Sequence, residues 1–305
     1  MKKEFSISDS RFPVENREGK VRRSSIANGF TLVEVLVVVA LLSLIVVALM
    51  AVFNTTQTAF RASVTQSDIL EGGRSAMDLM TGDLREMSPS LGANNGAMNF
   101  CVTNYGYPPL DQSLTASSNT RTNVQENFFI LSRKNQDWTG TGYVVITNSA
   151  QGNLYSLYRF SMTMNVSASN SPAQLYTDFL NTDYTISPPW SRLIDGVVGL
   201  RVHAFDLNGA LINTNVLASL MRTNSLPNLP GETGYVFYGN ALPASVEIEM
   251  AVLEDRALQR AESLPDDVPA PPNDRRTLYL QEQAGKVHIF RQRVSIPNVD
   301  PAAYQ

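Results

Sequence analysis

The chain is 305 residues long, with 24 Lys and Arg against 28 Asp and Glu, a formal net charge of -4, and 43% hydrophobic residues. A single cysteine, Cys101, excludes an intramolecular disulfide, and neither histidine, His203 or His288, has a Cys or carboxylate at metal-ligand spacing. Gly-x-Ser-x-Gly, a phosphate loop and His-Glu-x-x-His are all missing, so the sequence reads as a non-enzyme with no cofactor and no metal.

Residues 1–29 carry seven basic and four acidic side chains, a net charge of +3, which leaves about -7 for the rest. Residues 30–53 follow as an almost unbroken apolar run of 24 residues from Phe30 to Phe53, with one charge, Glu34. As a helix this run reaches roughly 36 Å, enough to cross a hydrocarbon core of about 30 Å. No Lys or Arg lies between Phe30 and Phe60. The positive flank is therefore residues 1–29, which predicts a cytoplasmic N-terminus and a body beyond the membrane.

Gly29-Phe30-Thr31-Leu32-Val33-Glu34 resembles the processing site of type IV prepilins and pseudopilins. The resemblance implies that a prepilin peptidase cuts after Gly29 and that Phe30 becomes an N-methylated N-terminus. Glu34 would then be the fifth mature residue, the position that class keeps acidic. Such a cut leaves an ammonium on Phe30, one helical turn from Glu34 on the same face. A cation at a helix N-terminus is opposed by the helix dipole, and Glu34 compensates. Near lipid, either charge left unpaired costs a few kcal/mol. The expectation is that a neighbouring subunit's ammonium meets Glu34 and sets the axial register between packed helices.

The sequence predicts that the helix continues past the membrane, because no proline occurs between Phe30 and Pro89. Phe60 and Val64, then Met77, Met80, Leu84 and Met87, form an apolar stripe, with Glu71, Asp78, Asp83 and Glu86 off it. Gly72-Gly73 is a predicted weak point, at about 1 kcal/mol per glycine relative to alanine, and Ser88-Pro89 ends the helix. The expected organisation is a leader at 1–29, a transmembrane half-helix at 30–53, an amphipathic half-helix at 54–90 and a β-rich periplasmic body at 91–305.

In the body, strands are predicted at 127–132, 142–147, 154–162, 195–206, 245–254, 277–282 and 286–296. Val246, Ile248, Met250 and Val252 share one face, opposite Glu247 and Glu249. Val198, Leu200, Val202 and Ala204 share another, opposite Arg201 and His203. This is the period of strands with one buried side. A helix followed by strands predicts an α+β fold, a long N-terminal helix packed on an antiparallel sheet. Residues 117–123 and 168–171 read as surface loops, and 264–275 as a proline-rich acidic excursion between two strands.

The strand ending in Asp206-Leu207-Asn208-Gly209, a variable insert, and Leu242-Pro243-Ala244 leading into the next strand resemble J-type minor pseudopilins and W-type minor pilins, as does Asp83-Leu84. The large body and long leader also resemble the prepilin-like Verru_Chthon cassette protein C group. A K-type tip pseudopilin is disfavoured, because that type lacks the acidic fifth residue.

The remaining candidate sites have plainer readings. Cys101 reads as a buried small apolar residue, with an intermolecular bridge as the alternative. Asp206 to Gly209 reads as a hairpin turn rather than a calcium loop. Asp266, Asp267 and Asp274 read as a solvated loop rather than a cation site. Asn104-Tyr105-Gly106-Tyr107-Pro108-Pro109 reads as a packed aromatic loop rather than a ligand contact. The expected function is that of a minor pilin or pseudopilin in a type II secretion pseudopilus or a type IV pilus tip. Its expected partners are the prepilin peptidase, other major and minor subunits, and inner-membrane lipid. The alternative is a binding module displayed on a pilus. The charge of the mature part argues against a nucleic-acid partner.

Overall fold

The computed structural model describes residues 30–90, 97–104, 109–114, 119–147, 154–165, 171–184, 189–212, 221–223, 234–264 and 275–304, the side chains of Ala62, residues 221–223 and Tyr304 excepted. Gly29, the aromatic turn at 105–108, and Asp266, Asp267 and Asp274 lie outside the described residues. The chain divides into two units, residues 1–58 and residues 59–305. The elements in chain order are α1 (Leu32–Arg85), β1 (Met98–Asn104), β2 (Leu110–Ser113), β3 (Thr120–Asn123), β4 (Glu126–Lys134), β5 (Asp137–Thr147), β6 (Tyr155–Asn165) and α2 (Ala173–Asn181). They continue with β7 (Trp190–Phe205), β8 (Met221–Thr223), β9 (Gly234–Tyr238), β10 (Ser245–Leu253), α3 (Asp255–Glu262), α4 (Arg275–Glu282) and β11 (Val287–Ser295).

In the second unit, α1 buries Ile69, Ala76, Met77, Met80 and Leu84, at the spacing of one helical face. Each large side chain buried there contributes about 2 kcal/mol. The stripe starts at Ile69 and not at Phe60 or Val64, which are 69% and 43% exposed. The helix runs unbroken through Gly72-Gly73. Gly73 is a close-approach point instead of a break, because a Cβ there would overlap the ring of Phe290. The helix ends at Arg85, and Ser88 N then donates to Leu131 O at 2.9 Å, so the chain passes onto β4 before Pro89.

The body is a nine-stranded sheet in the order β11-β10-β7-β6-β5-β4-β1-β9-β8, with β2 and β3 as a separate pair. The paired strands run antiparallel. Phe100, Phe128, Ile130, Tyr143, Val145, Ile248 and Met250 join the α1 residues in one core. Cys101, Phe129, Leu131, Val144, Ile146 and Phe160 form a second core, with Leu175, Tyr176 and Phe179 of α2. Both faces of β4 and β5 are therefore covered, which is why their runs are apolar at consecutive positions and do not alternate. Gly142 makes the seat for α2, since a Cβ there would overlap the ring of Phe179. A third core joins Val198, Ala251 and Leu253 to Ala257, Leu258 and Ala261 of α3 and Leu280 of α4.

Two expectations are corrected. Residues 277–282 are helical, within α4. The alternation of Thr277, Leu278, Tyr279 and Leu280 is too short to separate strand from helix, and a buried cation decides it. Arg276 Nε donates to Ala261 O at 2.9 Å and Nη2 to Leu264 O at 2.7 Å, capping the C-terminal end of α3. In the segment 117–123 predicted as loop, residues 120–123 form β3. Polar cross-strand bonds hold it: Thr122 Oγ1 to Asp111 Oδ1 at 2.6 Å and Arg121 Nη2 to Gln112 Oε1 at 2.6 Å.

Candidate functional site

Phe30, 84% exposed, stands just before α1, and Glu34 lies in the first turn. Thr31 N and Thr31 Oγ1 each donate to Glu34 Oε2 at 2.9 Å, and Glu34 N donates to Thr31 Oγ1 at 3.3 Å. This is a reciprocal capping box, in which residue and carboxylate three positions apart satisfy each other's donors. The partner of Glu34 within the chain is thus Thr31, one residue beyond Phe30. The Thr-x-x-Glu spacing carries that signal, which the i,i+4 pairing of Phe30 with Glu34 does not include. Oε1 of Glu34 takes no bond from the described residues.

In the first unit, the large apolar side chains from Phe30 to Phe53 are exposed, and α1 is long and apolar enough to cross a membrane. Hydroxyls in and just after the apolar run bond to the helix's own backbone. Ser43 Oγ donates to Val39 O at 2.7 Å, and Thr55, Thr56 and Thr58 each donate to the carbonyl four residues back at 2.9 Å. Such back-bonding would keep these hydroxyls satisfied in an apolar surrounding.

In the second unit, Asp83 joins the end of α1 to the sheet. Arg159 Nε donates to Asp83 Oδ2 at 2.8 Å and Nη2 to Oδ1 at 3.1 Å, while Tyr143 Oη donates to Oδ2 at 2.5 Å. Burial and the neighbouring Asp83 charge push the Tyr143 phenol up from its ordinary range, so it stays a donor. Burial pulls the Arg159 guanidinium down, but the Asp83 bonds more than offset it. A bidentate fork plus a phenol uses both carboxylate oxygens and fixes this turn of helix over β5 and β6.

A second, half-buried carboxylate joins β4 to β7. Val202 N donates to Glu126 Oε2 at 2.6 Å, beside Leu200 N to Val124 O at 2.9 Å. Burial pushes the Glu126 carboxyl up to about 7, against the pull of Val202 N–H and Arg201. The carboxyl oxygen stands in for a backbone carbonyl at this strand junction.

The other candidates take structural places. Cys101 is buried with Sγ 3.7 Å from Tyr176 Oη, and burial pushes the thiol up to about 12, so it is an unreactive core residue. His203 lies on the sheet face opposite α1, held below its ordinary pKa by burial and Arg201. His288 Nε2 is 3.3 Å from Glu254 Oε1, a partner distant in sequence. Asp206 Oδ1 accepts from Asn208 N at 2.9 Å and Ala210 N at 2.7 Å, with Gly209 at φ +78°, a tight turn with its carboxylate turned onto its own backbone. No cluster of three metal-ligating side chains occurs among the described residues.

Fold and site together define an α+β protein whose N-terminal helix begins as an apolar candidate membrane span and ends as the cover of an antiparallel sheet. Residues 25–50 match the family model described as the prokaryotic N-terminal methylation motif, so the chain carries a type IV prepilin-like N-terminus. No curated protein and no solved structure matches the chain.

Proposed function

We propose that this protein is a minor pilin or pseudopilin, a structural subunit of a type II secretion pseudopilus or a type IV pilus tip. A prepilin peptidase cuts the Gly29-Phe30 bond at the cytoplasmic face, and Phe30 is N-methylated. The span at 30–53 holds the body on the periplasmic side of the inner membrane until related major and minor subunits recruit it. Glu34 governs that recruitment: Oε2 stays on the Thr31 cap, and Oε1 accepts the ammonium of a neighbouring subunit. The work of assembly comes from the machine's motor and not from this chain.

The observation that supports this reading is the methylation motif set directly against an exposed apolar helix, with Glu34 in its first turn. The size of the body beyond the helix favours a minor subunit over a major one, whose bulk is repeated along a fibre. Intact-mass and N-terminal analysis of protein from native membranes, with and without prepilin peptidase, tests it. A chain that begins at methylated Phe30 only when the peptidase is present supports the proposal. A chain that keeps residues 1–29 in both membranes refutes it.

A further inference from the structure

β11 closes one end of the nine-stranded sheet, and among the described residues it pairs with β10 alone, from Ser245↔Ser295 to Leu253↔Val287. Alternate residues of an antiparallel edge strand direct N–H and C=O away from the sheet. No proline interrupts β11 from Val287 to Ser295.

On the sheet face opposite α1, charge alternates from strand to strand. Glu249 lies between Arg201 of β7 and Arg291 of β11, and Glu247 lies between His203 and Arg293. Arg291 binds Glu247 Oε1 at 2.5 Å yet its side chain is 60% exposed. Arg293 stacks on Phe205 at 3.7 Å and donates to Ser245 Oγ at 2.9 Å. Ile289, two residues before Arg291 on the same face, is 48% exposed. The sheet thus ends on a positive row followed by an apolar residue, with backbone donors and acceptors directed outward.

We infer that the outer edge of β11 docks an extended segment of a partner protein, which adds one antiparallel strand reading acidic-x-acidic-x-apolar. β10 is the template, since Glu247, Glu249 and Ala251 lie opposite Arg293, Arg291 and Ile289 in that order. A second copy pairing β11 to β11 offers no acidic residue opposite Arg291 or Arg293, since β11 carries none, and the registers centred on 291 or 292 set arginine against arginine, where like charges directly opposite are destabilising. The charge pattern therefore selects an acidic partner strand over a second copy. This inference rests on the sheet and is independent of the assembly reading.

The test uses full-length protein in detergent micelles and two fluorescein-labelled peptides, Thr-Glu-Thr-Glu-Thr-Val-Thr and its Lys-for-Glu counterpart. The acidic peptide binds at least about tenfold tighter, as two cross-strand ion pairs predict, and slows hydrogen exchange of alternate amides across 288–294. Arg291→Gln, and separately Arg291→Gln with Arg293→Gln, weaken that peptide at a temperature where circular dichroism shows both variants still folded. Equal affinity for the two peptides, binding that leaves β11 exchange unchanged, or no binding overturns the proposal. Self-association of the protein that slows exchange across β11 also overturns it, by making a second copy the occupant.

Discussion

Gly73 of α1 lies directly against the ring of Phe290 in β11, so close that a Cβ at 73 would overlap ring atoms, whereas a Cβ at the neighbouring Gly72 would sit 3.5 Å from Ile194 Cδ1. Two adjacent glycines of equal intrinsic helix cost therefore have opposite tertiary roles. Gly72→Ala should stabilise the body by up to about 1 kcal/mol through helix propensity. Gly73→Ala should destabilise it by about 1–3 kcal/mol through overpacking, partly offset by the same propensity gain. Urea unfolding followed by the fluorescence of Trp138 and Trp190 reads both. Equal effects at the two positions would contradict the close packing of Phe290.

Asp83→Ala should destabilise the body by about 3 kcal/mol, because it leaves the Arg159 guanidinium and the Tyr143 hydroxyl unpaired against the end of the helix. Tyr143→Phe removes one of the three bonds and keeps the ion pair, so its cost should be nearer 1 kcal/mol. Amide exchange in the last two turns of α1 should speed up in Asp83→Ala before exchange in β4 does. Uniform acceleration across helix and sheet would argue against a local clamp.

Stability should depend on pH through Glu126. The folded state holds that proton up to about pH 7, against an ordinary value of 4.5, chiefly because of burial. The folded state binds more protons between those values, so stability tied to Glu126 is full below about 4.5 and is lost as pH rises towards 7. Arg201 of β7 and the Tyr235 hydroxyl of β9 are the charged and titratable groups that face it. Glu126→Gln should remove this slope, shifting the difference from wild type by about 3 kcal/mol between pH 4.5 and 8. Parallel stability–pH curves for the two proteins would refute the assignment.

Glu34→Ala removes the carboxylate that caps α1, a loss confined to the first turn, so unfolding of the body should not change. Copurification with the pilin-like subunits of the proposed assembly should fall sharply. Thr31→Ala, which deletes the hydroxyl but keeps the carboxylate, should retain most of it. Normal copurification of Glu34→Ala would end the recruitment role, and equal loss in both variants would reduce it to helix capping.

Cys101 should resist thiol reagents at neutral pH in the folded protein and react at an ordinary rate in urea, because burial holds it protonated at about 12. Rapid labelling without denaturant would show that α2 opens from the sheet.

Local pattern carried much of this protein. The proline-free stretch to Pro89 became α1, and the alternation of Val246, Ile248 and Met250 against Glu247 and Glu249 became β10 with one row buried. The turn at Asp206 formed as its Asp-x-Asn-Gly chemistry requires. The elements that sequence reading missed depend on distant partners. α2 exists where Leu175 and Phe179 find seats at Gly140 and Gly142. α4 is helical where Arg276 meets the C-terminal carbonyls of α3, and β3 is held by polar bonds that leave no apolar period.

By itself, then, the sequence determined the methylation motif, the apolar span and the α+β order of elements, because each is set by residues within a few positions of one another. Only the tertiary structure decided that Gly73 is a notch, that Asp83 is a clamp to Tyr143 and Arg159, and that the sheet is covered on both faces. The clamp and the notch are contacts between residues at least 60 positions apart, such as Asp83 and Tyr143. Their energies come from close packing and charge-assisted hydrogen bonds, which no local period encodes.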